Sequence, residues 1–247
     1  MTEAARIALV TGGSRGIGAR TAVTLASQGW DVAISYRVRA DVAQDVVDSC
    51  RQLGRRALAV QADVASESDI VRLFAAVDRE LGPLWGLVNN AGVVPPGAAV
   101  EEYTAARLQD LFAVNVTGAF LAAGEAVRRM SSVGGGSGGV IVNVSSRAAA
   151  LGGAGEYVDY AASKAAIDAM TIGLAREVAA EGIRVVGVSP GLISTDIHAP
   201  GRLDRLGASP PLGRPGDPQE VANAIAWLIS DEASYVTGAT LDISGGR

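Results

Sequence analysis

With 247 residues, 49% of them hydrophobic, the chain can bury a large core, and α/β proteins of this length often form one domain. Charged residues make up 19% and the net charge is −5, which sets nucleic acid aside as a partner. One cysteine (Cys50) and one histidine (His198) exclude a disulfide framework, cysteine or histidine metal clusters and a Ser-His-Asp hydrolase.

No apolar run approaches the roughly 20 residues of a membrane span, and the start of the chain lacks a signal-peptide pattern. The expectation is a soluble cytoplasmic protein with no membrane partner.

The first β-rich run, residues 7–10, feeds directly into a glycine loop at residues 11–18, and a helical pattern follows through residue 28 with Gly29 as its stop. A second apolar strand begins at Asp31. This strand-loop-helix-strand unit, with glycines at its first turn, is the arrangement expected of dinucleotide binding. Glycine lets the backbone approach a pyrophosphate, and the helix N-terminus supplies free N–H groups and partial positive charge. Candidate cradle residues are Gly12, Ser14, Arg15, Gly16, Ile17 and Gly18. After the second strand, where an acidic residue usually holds the adenosine ribose, stand Tyr36 and Arg37. Arg15 and Arg37 together suit a 2′-phosphate, which arginine grips bidentately; the alternative is two solvated loop arginines. The reading is NADP(H) over NAD(H).

A second helix is expected over residues 41–53, with Cys50 as a packing residue, and a third strand over residues 57–61, ending in Asp63 and Val64. Asp63 could accept from an adenine amino group or cap the helix that begins near Ser66. A fourth strand, residues 84–88, runs into Asn89, Asn90, Ala91 and Gly92. Such regular alternation argues for a parallel sheet covered on both faces. The next helix, about 104–130, is long and apolar and carries Asn115, a mild propensity fault in mid-helix. One physical use for that asparagine is to disturb the helix locally and hold a water. The glycine-rich loop at 134–139 carries no chemistry. A fifth strand, residues 140–144, ends in Ser145 and Ser146 on the ligand side of the sheet.

Tyr160 and Lys164 then fall four apart at the front of an Ala-rich run reaching about residue 180. In a helix they share one face. An isolated pair of this kind is most simply a solvated surface pair. A neighbouring ammonium also favours the phenolate and brings a phenol toward the working range of an acid or base. The topology lets Asn115, Ser146, Tyr160 and Lys164 meet around one cleft.

With residues 11–18, 89–92, Asn115, Ser146 and Tyr160-x-x-x-Lys164 in this order, the chain resembles the short-chain dehydrogenase/reductase family over essentially its whole length. Further agreements are Asp63-Val64, Pro190-Gly191 with Thr195 after a sixth strand at 183–188, and the ending 236–246. The resemblance implies a three-layer, doubly wound Rossmann-type fold with a seven-stranded parallel sheet in a single domain over residues 1–247. It also implies a homotetramer or dimer. It makes Tyr160 the acid in carbonyl reduction and the base in alcohol oxidation. Ser146 would hydrogen-bond the substrate oxygen, and Lys164 would hold the nicotinamide ribose and lower the Tyr160 pKa. Asn115 would hold a relay water. Asn90, Ala91 and Gly92 would line the adenosine-ribose side, and Pro190, Gly191, Ile193 and Thr195 the nicotinamide side. The strand-Ser-Ser pattern selects Ser146 over Ser145. Val186 stands where relatives commonly carry asparagine.

Substrate specificity is expected in residues 192–215, a lid rich in Gly and Pro that carries His198, Arg202 and Arg205. The relatives of this appearance are 3-oxoacyl-carrier-protein reductases and sugar or polyol dehydrogenases. Ala180-Glu181 falls where a carrier-protein reductase would present a basic residue, although Arg128 and Arg129 could compensate. The readings are therefore a 3-oxoacyl-thioester or general ketone reductase, then a sugar or polyol dehydrogenase. A catalytically silent NADP(H)-binding sensor would be expected to lack the Ser, Tyr or Lys.

Overall fold

The computed structural model describes residues 5–198 and 201–247. Seven strands, β1 (Ile7–Val10), β2 (Asp31–Tyr36), β3 (Ala57–Gln61), β4 (Gly86–Asn89), β5 (Gly139–Val144), β6 (Ile183–Pro190) and β7 (Thr240–Ile243), form one sheet in the order β3-β2-β1-β4-β5-β6-β7. Every neighbouring pair is parallel. The order reverses between β1 and β4, and in open α/β sheets ligands bind outside the carboxyl ends of strands at such a point.

Parallel strands buried on both faces need apolar residues on both, and these runs supply them. Along β1, Ala8 and Val10 enter one core cluster while Ile7 and Leu9 enter the other. Helices α1 (Gly16–Ser27) and α2 (Ala40–Gln52) cover the first face, and α3 (Glu67–Glu80) the second. Next come α4 (Ala105–Phe112), α5 (Gly118–Met130), the short α6 (Ala148–Leu151) and α7 (Val158–Val178). After β6 follow the one-turn α8 (Arg202–Leu206) and α9 (Pro218–Ile229). α5 and α7 join α3 on the second face, and α9 packs beside α1 on the first. The apolar pattern had not marked α9; its Asp217–Glu220 capping box and Pro218 are the local signals for it.

Three boundaries differ from the sequence expectation for physical reasons. α1 begins at Gly16, because Gly12 and Gly16 take positive φ (62° and 54°) and turn the chain straight into the helix. β6 runs on to Pro190 because β7 pairs with its end, Ser189 opposite Asp242 and Pro190 opposite Ile243. The helix of residues 104–130 is interrupted by a widened π turn, Ala113–Thr117, centred on Asn115. The continuous stretch Ala105–Met130 is long and apolar enough to cross a membrane by length and composition, which corrects the expectation that no run approaches that length. Here Ala119, Ala122, Ala123, Ala126 and Met130 sit in the core against the sheet. Val186 is fully buried in the first core cluster, so apolar packing fills the place of the asparagine.

Candidate active site

α3, α4 and α9 each begin on a side chain that accepts from the first turn: Ser66, Thr104 and Asp217. α1 has no such cap and no acidic residue in its first turn. Among the described residues, the N–H groups of Gly16, Ile17 and Gly18 donate to nothing. Unsatisfied donors at a helix start form an anion site. The surrounding loop is built tightly. A Cβ on Gly18 would lie 2.5 Å from the Gly12 oxygen, and one on Gly13 would lie 2.6 Å from the Ile34 side chain. Asn90 Nδ2 donates to the oxygens of Thr11 (2.9 Å) and Gly12 (3.1 Å), tying the loop to the end of β4.

Gly12, Ser14, Arg15, Gly16, Ile17, Gly18, Tyr36, Arg37, Asp63, Val64, Asn90, Ala91, Gly92 and Thr195 line one cavity of about 550 Å³. Asn90, Gly92, Ser146, Tyr160, Lys164, Pro190, Gly191, Ile193 and Thr195 line an adjoining cavity of about 210 Å³. The cradle thus fits an extended dinucleotide, with the candidate acid at its far end. Asn115 lines neither cavity and is buried.

The two arginines expected to converge are arranged differently. Arg15 Nη1 pairs with Asp196 Oδ2 at 2.7 Å, and both side chains are largely exposed. Arg37 has no ion-pair partner among the described residues, while Arg39 is held by Asp41. An exposed pair such as Arg15–Asp196 is worth about 0–1 kcal/mol, so it does not fix Arg15 there. Asp63 does not cap α3. Its Oδ1 accepts from Ala65 N at 3.0 Å, while Ser66 Oγ accepts from Asp69 N at 3.3 Å.

Ser146 and Tyr160 both line the second cavity, and Ser146 Oγ accepts from Ala148 N at 3.1 Å. Ser145 is buried and turned away, its Oγ donating to the Lys164 carbonyl at 3.1 Å. Burial pushes the Tyr160 phenol above its ordinary pKa, and the neighbouring Ser146 hydroxyl works against that. Lys164 Nζ stands 5.9 Å from the Tyr160 ring centroid and donates to the Val144 oxygen at 2.8 Å. Burial brings Lys164 itself down to about 8.

Asn115 Nδ2 donates to Val93 O (2.9 Å) and Ser163 Oγ (3.1 Å), and Oδ1 accepts from Val93 N (2.8 Å). Both amide donors are therefore used, leaving one Oδ1 lone pair for a water. A Cβ on Gly92 would lie 3.4 Å from both Asn115 Oδ1 and Lys164 Nζ, so these two groups converge there.

Around this site stand further groups, of which Asp159, Glu156 and Arg107 carry no signal in the sequence pattern. Asp159 is buried, accepts from Arg107 Nε at 2.7 Å, and its Oδ1 accepts from Tyr160 N at 2.8 Å. Glu156 pairs with Arg202 and, at 3.2 Å, with Arg205. The Arg202 guanidinium also lies 4.7 Å over the Tyr157 ring. His198 Nε2 contacts Ile193 O at 2.8 Å, and burial lowers its pKa. Within the expected lid, Ala199 and Pro200 lie outside the described residues. Of 21 lysines and arginines, Lys164 is the sole lysine.

The model of the family described as "Enoyl-(Acyl carrier protein) reductase" matches residues 12–247. The chain is 53% identical over 245 residues to YgfF, an uncharacterized oxidoreductase of Escherichia coli K12, covering 98% of this chain and 99% of that one. It is 41% identical to a cis-4-hydroxycyclohexanecarboxylate dehydrogenase of Sinomonas cyclohexanicum, covering 98% and 96%. A crystal structure of a short-chain dehydrogenase from Burkholderia cenocepacia in complex with NADP superposes with TM-score 0.91 at 37% identity, covering 99% and 98%.

Proposed function

Because this chain belongs to the short-chain dehydrogenase/reductase family of oxidoreductases, we propose that it interconverts a ketone and a secondary alcohol with NADP(H), Tyr160 moving the proton. The observation that carries this reading is that Ser146, Tyr160 and Lys164 line one cavity that adjoins the nucleotide cradle, with Lys164 one turn along α7 from Tyr160. The nicotinamide supplies or accepts the hydride.

The residues of the chain do the rest. Ser146 and Tyr160 hold the substrate oxygen between two hydroxyls, where charge develops during transfer. Tyr160 donates its proton in reduction and removes one in oxidation. A phenol raised by burial is held in its protonated form, which suits donation. Lys164 and Asn115 meet beside Gly92 and hold the ribose and a relay water. The N–H groups opening α1 take the pyrophosphate, and Arg37 takes the 2′-phosphate, joined by Arg15 when it leaves Asp196. The preference for NADP(H) rests on these arginines and on the absence of an acidic residue after β2.

The substrate we favour is a 3-oxoacyl thioester or a simple ketone. Leu151, Val94 and Ile197 give the substrate cavity an apolar wall. Residues 192–215 act as its lid, latched by Arg202 and Arg205 on Glu156. The assembly we favour is a homotetramer; Leu108, Phe120 and Ile172, exposed on α4, α5 and α7, offer the helix faces for it. Following NADPH oxidation with acetoacetyl thioesters, simple ketones, sugars and polyols tests the reading. Turnover confined to polyols would overturn the ketone assignment.

A further inference from the structure

Beyond β7 the chain turns back toward the smaller cavity. Gly245 and Gly246 make that turn in the left-handed region, at φ 63° and 90°, where a side chain would be strained. A Cβ on Gly246 would lie 3.0 Å from Pro211, and Leu212 N donates to the Gly245 oxygen at 3.1 Å, so the turn is packed against the lid.

The residue this turn delivers is Arg247, which lines the cavity that holds Ser146 and Tyr160. Its main chain is anchored. The Arg247 oxygen accepts from Arg147 Nε at 2.8 Å and from Ser244 Oγ at 3.0 Å, and its N–H donates to the Ser244 oxygen at 3.3 Å. Arg147 and Arg202, the other arginines of the lining, pair with Asp242 and Glu156. The Arg247 guanidinium has no ion-pair partner among the described residues. Among those residues no aspartate or glutamate lines this cavity.

A carboxylate brought from water into such a cavity needs a cation and hydrogen bonds to offset its lost hydration. A guanidinium supplies both in one planar fork. The cavity of about 210 Å³ is smaller than the roughly 300–1,000 Å³ that drug-sized ligands occupy, so the molecule it takes is small.

We infer that Arg247 is a specificity-determining residue and that the substrate is a small ketone carrying a carboxylate. The carbonyl carbon of this oxo acid takes hydride from NADPH and its oxygen takes the Tyr160 proton, giving the hydroxy acid and NADP⁺. The carboxylate is unchanged and stays on Arg247. The inference rests on the ketone–alcohol reading of the site and narrows its simple-ketone branch.

The probes are 4-oxopentanoate, 5-oxohexanoate and 6-oxoheptanoate, each beside its methyl ester, which keeps the ketone and removes the charge. For the best acid, the wild-type kcat/KM should exceed that of its ester by about tenfold or more, the scale of a charge-assisted hydrogen bond. Arg247→Gln should bring that ratio near one, and Arg247→Lys should recover part of it. Esters that match or exceed the acids at every chain length overturn the inference while ketone reduction stands. So does an Arg247→Gln protein that keeps the wild-type ratio. Should Arg247→Gln not fold, a wild-type ratio at or below one still overturns the inference, and a ratio that falls in Arg247→Lys supports it.

Pentanoate, which has no ketone, reads the same contact without turnover. Titrated by calorimetry into NADPH-saturated protein, it should bind at least about tenfold more weakly to Arg247→Gln than to the wild type. No binding to the wild type, or an unchanged Kd, refutes the assignment. If the wild type reduces none of the carbonyl compounds, the ketone reading fails, while the pentanoate titration still decides the role of Arg247.

Discussion

Arg107 Nε and Asp159 Oδ2 meet at 2.7 Å where α4 crosses the first turn of α7, and the second Asp159 oxygen accepts from the backbone of Tyr160 at 2.8 Å. Tyr160 is thus placed by a charge pair lying outside the cavity. The Asp159 side chain is fully buried and that of Arg107 is 17% exposed.

Removing one partner of a buried pair leaves an uncompensated charge and costs about 3 kcal/mol or more. Arg107→Ala should therefore lower the unfolding free energy by about that amount. It should also reduce kcat well beyond any change in NADPH affinity. Urea unfolding and steady-state kinetics check both; a variant that is destabilised with unchanged kcat would refute the positioning role.

Tyr160→Phe should bind NADPH as the wild type does and lose about 10²- to 10⁴-fold in turnover, the range for a positioned acid. Fluorescence titration and kinetics on one preparation separate the two effects. Full turnover would remove Tyr160 from the mechanism.

Arg37 has no ion-pair partner among the described residues, whereas Arg15 has Asp196. Arg37→Asp should shift the kcat/KM ratio of NADPH to NADH at least about tenfold toward NADH, or about 1.4 kcal/mol. An unchanged ratio counts against the phosphate assignment.

Lys164 titrates at about 8 in the folded chain against an ordinary 10.5. Between those values the unfolded chain holds a proton that the folded chain has released, so raising the pH through this window favours folding. The stability of the wild type relative to Lys164→Met should rise by about 3 kcal/mol from pH 8 to 10.5, at about 1.4 kcal/mol per pH unit. Carbonyl reduction should weaken over the same range as the ammonium is lost. Chemical denaturation across the window checks the first, and a flat difference would show that burial does not depress this lysine.

Glu156 joins the segment before α7 to α8 through Arg202 and Arg205. Glu156→Gln should raise the substrate KM several-fold with little effect on NADPH affinity, because its partner Arg202 lines the smaller cavity and not the cradle. Equal losses in both would show a general structural role.

The sheet was legible because its strands are short, continuous apolar runs that need no partner to be recognised. The glycine loop and Tyr160-x-x-x-Lys164 were legible because their spacing is local. What escaped depends on contacts distant in sequence. Asp196 engages Arg15 only once β6 has been laid beside β5. The asparagine at 115 announced a disturbed helix, but the widened turn, and the use of both amide donors on Val93 and Ser163, follow from tertiary packing.

The uncapped opening of α1 makes folding and cofactor supply one linked equilibrium. Gly16, Ile17 and Gly18 present amides that only water or an anion can satisfy, so a nucleotide that binds there binds the folded chain alone. At a concentration a hundredfold above its Kd, such a ligand adds about 2.7 kcal/mol to stability by mass action. The melting temperature becomes a substrate-free gauge of which nicotinamide the protein meets, and a fall in that nucleotide would shorten the lifetime of the chain before it slowed any reaction.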